Sequence, residues 1–213
     1  GDVGGFKTPE MVEPHVEQTL RILDMARALG VRIVTGHIGA IPPEPAHPRY
    51  QMMLDACSRV AAHAAELGLC YAIETGPEPS GVLRSFLDDI HSPGIGVNLD
   101  PANFVMITGE DPAKAVRRLG HDIVHTHVKD GRMNRFVGVD IAYNMVPDPE
   151  NRKAGSRTQT PIGEGSVDWA AYLQALEDVR YRGFLTIERE GGDDRPAEIR
   201  RAYATLRQLL GRA

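Results

Sequence analysis

Four residues in this chain join acid–base character to a common setting, the end of a short apolar run. Glu74 closes Tyr-Ala-Ile-Glu-Thr-Gly and Asp100 closes Val-Asn-Leu-Asp-Pro-Ala-Asn. His127 lies in Val-His-Thr-His-Val-Lys-Asp, and Glu188 in Leu-Thr-Ile-Glu-Arg-Glu. Each has a plain structural explanation by itself. A strand-end Glu forms a salt bridge, an Asp before Pro caps a turn, and a strand His is a hydrogen-bonded core residue. Those explanations weaken jointly if the strand ends converge. Carboxylates at close range repel unless a cation sits between them. One divalent metal ion held by Glu74, Asp100, His127 and Glu188 resolves the conflict. An oxygen-rich set with one imidazole suits Mn²⁺ or Mg²⁺ first and Zn²⁺ second. Such an ion would polarise carbonyl and hydroxyl oxygens of a substrate.

Those residues converge only if the elements carrying them lie side by side. Five β-branched, apolar segments of strand length are present: 31–37, 69–75, 96–100, 123–128 and 184–188. Between them run segments with helical spacing: 8–29, 49–67, 82–90, 112–119, 169–179 and 196–210. Thr8-Pro9, Asp111-Pro112 and Asp168-Trp169 read as helix starts. Strand–helix alternation implies a parallel sheet. A dinucleotide-binding glycine fingerprint after the first strand is absent. In an open doubly wound sheet, strands far from the switch point have no reason to end in such groups. In a (β/α)₈ barrel every strand end faces one mouth. The predicted fold is therefore an α/β TIM barrel, with residues 1–213 forming one domain that carries about the last five βα units.

The opening Gly-Asp-Val-Gly-Gly-Phe, without Met, reads as a loop in mid-protein, so the first three βα units are expected to lie upstream. Without them the sheet edges would be open, and a homo-oligomer is the expected way to cover them. The segment 131–167, rich in Gly, Pro, Asn and Arg, is expected to be a functional lid or disordered. The net charge of −5 and the scattered basic residues argue against a nucleic-acid partner. No apolar run approaches the roughly 20 residues of a membrane span, and residues 1–7 lack a signal-peptide core. Cys57 and Cys70 read as reduced thiols of a cytoplasmic protein.

At Ile73-Glu74-Thr75-Gly76, Gly96–Asn103, His125–Asp130, Pro161–Gly165 and Thr186–Glu190 the chain resembles the xylose isomerase-like sugar phosphate isomerase/epimerase family, whose superfamily also holds AP endonucleases. The order and spacing of these stretches carry the resemblance. It implies a single-metal site on Glu74, Asp100, His127 and Glu188. It also implies that Glu74 and Glu188 act as paired acid and base, one removing the proton next to a carbonyl and the other returning it on the opposite face. Two departures stand out. Asn103 occupies a position where such epimerases commonly have His, and Met133 one where they have Arg; Arg132 and Arg135 are the nearby guanidiniums. The endonucleases need several more His and Asp ligands, and Asn103 removes one of them.

Further expected substrate contacts are His37, Glu78, Asn103 and Lys129. His37 contacts substrate at the mouth or makes a strand-end hydrogen bond. Lys129 stabilises an enolate or binds an anion, or pairs with Asp130 at the surface. Arg135, Arg152 and Arg157 bind an anionic group or belong to a solvated loop. Trp169 is expected to pack as core. The expected activity is a divalent-metal-dependent isomerase or epimerase acting on a sugar, sugar phosphate or related polyol ketone. The alternatives are a dehydratase of the inosose or dehydroshikimate type on the same scaffold, and a non-catalytic sugar-binding barrel.

Overall fold

Apolar strand segments alternate with amphipathic helices, and the chain folds accordingly. A computed structural model describes residues 5–6, 8–191 and 194–211. The opening loop read at residues 1–6 lies outside the described residues except for Gly5 and Phe6. Helix α1 (Pro9–Ala28) leads into β1 (Ile33–Gly36), α2 (Pro48–Glu66) and β2 (Cys70–Glu74). Then come α3 (Ser80–Ile90), β3 (Ile95–Leu99), a short α4 (Pro101–Asn103) and α5 (Pro112–Leu119). The chain continues through β4 (Ile123–Val128), β5 (Asp130–Met133), α6 (Val139–Ala142) and β6 (Arg157–Thr160). It ends with α7 (Trp169–Asp178), β7 (Leu185–Ile187) and α8 (Arg195–Leu209).

Five strands form one parallel sheet in the order β1-β2-β3-β4-β7. The order never reverses, as in part of a barrel wall and unlike a doubly wound sheet, which has a switch point. Helices cover the outer face, so the central strand β3 is buried throughout. The core joins strand residues such as Ile73, Val97 and Leu99 to Tyr50, Phe86, Leu119 and Tyr172 of the helices. Asp111 and Asp168 cap α5 and α7 through the amides of Ala113 and Ala171, as their sequence positions suggest. Thr8 precedes α1 but makes no side-chain cap. The edge strands β1 and β7 are shorter than their apolar runs. No helix among the described residues is long and apolar enough to cross a membrane.

The segment 131–167 departs from expectation. It carries an antiparallel ribbon, β5 paired with β6 in register Asp130↔Thr160 to Met133↔Arg157. The reason is one buried carboxylate. Asp130 Oδ1 accepts from the amides of Gly131 (2.8 Å) and Val167 (3.2 Å), and Oδ2 from those of Gly163 (2.9 Å) and Gly165 (3.2 Å). Trp169 Nε1 donates to the same Oδ2 at 2.9 Å. A Cβ on Gly165 would lie 1.9 Å from Asp130 Oδ1, so only glycine fits there. The hydrogen bonds to this side chain thus close the long loop onto the barrel.

Candidate active site

Register decides which side chains meet. Glu74 is the β-partner of Asn98, Asn98 of His125, and His127 of Thr186. A register shift at Val97/Asn98 sits in the middle of this row. Such irregularities re-aim side chains next to sites. Asp100 follows β3 directly and caps α4: its Oδ1 accepts from the amides of Ala102 (2.8 Å) and Asn103 (3.2 Å). Thr75 Oγ1 accepts from Asp100 N at 2.8 Å and holds that turn. Gly76 (φ +130°) lets the next turn pass close by, because a Cβ there would lie 2.1 Å from Asn103 Cβ.

The structure brings Glu74, Asp100, His127 and Glu188 together. One ligand atom from each lies within 4.8 Å of the others. His127 Nδ1 is 2.9 Å from Glu188 Oε2, 3.6 Å from Glu74 Oε1 and 3.7 Å from Asp100 Oδ2. It has hydrogen-bond alignment with none of them. Asp100 Oδ2 is also buried without a hydrogen bond. Three carboxylate oxygens and one imidazole nitrogen therefore face a common point, and two of these atoms have no hydrogen bond. That donor set fits a hard divalent cation, with Mg²⁺ or Mn²⁺ ahead of Zn²⁺.

The charges respond to this crowding. Burial raises the Glu74 carboxyl to about 7, with His127 opposing and Asp100 and Glu188 adding to the rise. Glu188 goes the other way, to about 2, because His127 lies against it and outweighs burial, helped by Lys129. Burial disfavours a charge on His127, but Asp100, Glu188 and Glu74 overcome it and raise the imidazole to about 10. Lys129 is buried yet held charged by Asp100 (3.3 Å), Glu188 (3.1 Å) and Glu190 (3.6 Å). Its partner is not Asp130, which is engaged in the loop.

His127 belongs to a chain of hydrogen bonds that sequence reading missed. Its Nε2 lies 3.2 Å from Asn98 Nδ2, Asn98 Oδ1 lies 2.8 Å from His125 Nδ1, and His125 Nε2 lies 2.9 Å from Thr186 Oγ1. For Nδ1 to offer a lone pair to a cation, the ring proton must sit on Nε2. Turning the Asn98 amide by half a rotation presents Oδ1 to that proton. The same turn lets Asn98 Nδ2 donate to His125 Nδ1, and leaves His125 Nε2–H for Thr186 Oγ1. Every polar atom of the row has a partner in the turned arrangement. The signal available in the sequence was the alternation that puts His125 and His127 on one side of the strand.

A cleft of about 530 Å³ opens above the cluster. His37, Asn103 and Lys129 line it with Glu74 and Glu188. His37 Nε2 is 3.4 Å from Glu74 Oε2, and burial holds its imidazole neutral, aided by Lys129. Asn103 Nδ2 donates to Thr75 O. Glu78 is not on this wall. It faces a smaller cavity beside Ile41 and Val139, its Oε2 accepts from Ile41 N, and burial raises it to about 8. Tyr143, Arg157 and Gln159 line the cleft from the 131–167 segment. Arg132 and Arg135 instead donate to backbone carbonyls of that segment. Gln159 joins its two sides: Oε1 accepts from Arg189 Nη1, Glu190 N and Gly191 N, and Nε2 lies 3.4 Å from Glu188 O. Its position in a loop hid that role.

Residues 4–209 match the family described as xylose isomerase-like TIM barrel. The chain belongs to that family. The solved structure of a xylose isomerase domain protein from Planctomyces limnophilus superposes on this xylose isomerase-like barrel with a TM-score of 0.78 at 28% identity, over 99% of this chain and 68% of that one. A D-allulose 3-epimerase from Methylomonas sp. shares the fold with a TM-score of 0.72 at 18% identity, covering 97% and 74%. Two further barrels of this fold were solved with cations: a Mycobacterium smegmatis protein in complex with magnesium (TM-score 0.70, 18% identity, 96% and 70% covered) and the IolI protein with a zinc atom (0.67, 14%, 92% and 68%). The uncharacterized protein YfiH of Bacillus subtilis is 31% identical over 122 residues, 55% of this chain. The chain spans 38% of YfiH and 60% of MJ1311, an uncharacterized protein of Methanocaldococcus jannaschii that is 25% identical over 86% of this chain.

Proposed function

We propose that this chain is the metal-binding part of an isomerase or epimerase that acts on a sugar, a sugar phosphate or a related polyol ketone. The observation that carries the proposal is the convergence of Glu74, Asp100, His127 and Glu188 on one point, with Asp100 Oδ2 and His127 Nδ1 buried there without a hydrogen bond. The epimerases among its structural relatives support the substrate class. A divalent cation held by those four residues would polarise the substrate carbonyl and acidify the proton next to it.

The two glutamates divide the proton work. Glu188, ionised and 3.1 Å from the Lys129 ammonium, has no proton of its own and would accept one from a carbon acid that the cation has acidified. Glu74, raised to about 7 without a cation, would lose that proton on metal binding and serve as the second carboxylate, exchanging the proton on the opposite face. Lys129 keeps positive charge beside Glu188 and Asp100, where charge moves during proton transfer. Buried Met106 and half-buried Tyr143 narrow the cleft and limit water around the reacting carbon.

Incubation with Mn²⁺ and a panel of ketoses in D₂O tests this reading by mass spectrometry. Deuterium should enter substrate and product next to the carbonyl. Glu188→Gln and Glu74→Gln should each slow that exchange by roughly 10² or more. Full exchange in Glu188→Gln would refute the assignment. Loss of water to an ultraviolet-absorbing product would replace the epimerase with a dehydratase.

A further inference from the structure

The cleft has two unlike sides. Its floor is acidic, with Glu74 and Glu188 above Asp100 and His127. Its wall is the β5–β6 ribbon and the loop joining its strands, which contribute Lys153 and Arg157. The three arginines of this segment that the sequence offered as anion binders have separate fates. Arg135 Nη2 donates to Arg152 O at 2.6 Å, and Arg152 pairs with Asp148 at 3.4 Å. Both hold the loop. Arg157 makes no side-chain hydrogen bond and no ion pair among the described residues, and its Nη1 is buried without an acceptor. A buried guanidinium N–H without an acceptor is costly, and a ligand oxygen in the cleft would remove that cost. Lys129 does not supply this charge, because Asp100, Glu188 and Glu190 surround its ammonium. Lys153, with Nζ 3.0 Å from Asn144 Oδ1, adds positive charge on the Arg157 side.

We propose that Arg157 anchors an anionic group, a phosphate or a carboxylate, at the end of the substrate remote from its reacting carbonyl. This rests on the reading of the floor as the reacting end, and it narrows the substrate to a sugar phosphate or sugar acid. The planar guanidinium offers paired N–H donors that match two oxygens of such a group. A cleft of about 530 Å³ has room for a ligand that spans floor and wall. Arg157 and Gln159 are two apart on β6 and both line the cleft, so the strand that presents the anchor also ties down the Glu188–Gly191 turn.

Calorimetric titration of the Mn²⁺-loaded protein with three hydroxamates tests the anchor. Glycolohydroxamate, phosphoglycolohydroxamate and succinohydroxamate share a metal-chelating end and differ in the remote group. The phosphate or the carboxylate compound should bind roughly tenfold to a hundredfold tighter than glycolohydroxamate, and the tighter of the two identifies the group. Arg157→Gln should erase that excess and leave glycolohydroxamate affinity unchanged, while Arg157→Lys restores part of it. Equal binding of all three, or an excess that survives Arg157→Gln, would overturn the anchor and leave the floor reading intact. Inorganic phosphate titrated into metal-free protein separates the two readings. If glycolohydroxamate fails to bind but phosphate binds in an Arg157-dependent way, the floor reading falls and the anchor stands. If neither binds, both fall.

Discussion

Asp100 and Asp130 are buried aspartates on neighbouring turns of one barrel mouth, and they are satisfied in opposite ways. Asp130 accepts from four backbone amides and one indole, so both of its oxygens are filled by fixed dipoles. Asp100 spends only Oδ1 on a helix cap and leaves Oδ2 beside Lys129 and His127 without a hydrogen bond. A carboxylate enclosed by N–H groups has nothing left to offer a ligand. One that is half satisfied among like charges is held at a cost that a cation would relieve. The difference separates the carboxylate that builds the wall from the one that serves the floor.

Removal of each side chain should break the comparison in opposite directions. Asp130→Ala strands five donors, three of them buried, and frees the ribbon, so stability should fall by roughly 4 kcal/mol or more. Chemical denaturation reads this directly, and a loss under about 1 kcal/mol would show that the loop closes without Asp130. Asp100→Asn keeps an oxygen for the cap, so metal-free stability should change by less than about 1 kcal/mol. Mn²⁺ affinity should nevertheless fall at least about a hundredfold, and the rise in melting temperature on adding Mn²⁺ should vanish.

The same contrast explains what could be read without coordinates. Glu74, Asp100, His127 and Glu188 were legible because each ends an apolar run, and barrel geometry turns that one-dimensional position into convergence. The five parallel strands were legible for the same reason. The ribbon was not, because residues 131–167 carry no apolar period: their order comes from Asp130, whose five donors are spread from Gly131 to Trp169. Gln159 stayed hidden with it, and Arg157 could be named only as one of three candidate anion binders, since their places depend on strand pairing with β5. Asn98 was hidden differently. It lies inside an apolar strand, and only the register that sets it between Glu74 and His125 gives it a task. Glu78, singled out for its nearness to Glu74 in sequence, follows the turn into a separate cavity.

The floor should also reveal its open valences through protons. Without metal, His127 holds a proton up to about pH 10 and Glu74 up to about pH 7. A cation must displace both. Apparent Mn²⁺ affinity should therefore climb steeply up to about pH 7, where two protons leave, and by roughly tenfold per unit above it, where one leaves. Calorimetry in buffers of different ionisation enthalpy counts them. A proton release near zero at pH 8 would contradict the charge on His127. The metal-free protein should behave conversely. The raised His127 contributes stability that is full below its ordinary value near 6.5 and is lost as the pH rises through about 10. Glu188, lowered to about 2, contributes stability that is present above its ordinary value near 4.5 and is lost as the pH falls towards 2. Metal should accordingly stabilise the protein most on the alkaline side.

The finest test lies in the row behind the floor. If Asn98 sets the His127 tautomer, Asn98→Leu removes the acceptor for Nε2–H and frees the ring to keep its proton on Nδ1, the atom that faces the carboxylates. Mn²⁺ affinity should drop about tenfold, at the lower end of what loss of a hydrogen-bond partner behind a metal-ligating His costs. Thr186→Val deletes only the far end of the row, the partner of His125 Nε2. Since His125 can still accept from Asn98 with its proton turned toward the valine, the loss should stay within about threefold, the worth of one weak neutral hydrogen bond. Nitrogen NMR of the two imidazoles reads the tautomers independently of affinity. With Mg²⁺ bound, His127 should carry its proton on Nε2 in the native protein and in Thr186→Val. An Nδ1 proton in the metal-bound native protein would show that the cation sits elsewhere, and that the four floor residues are held together only by their charges.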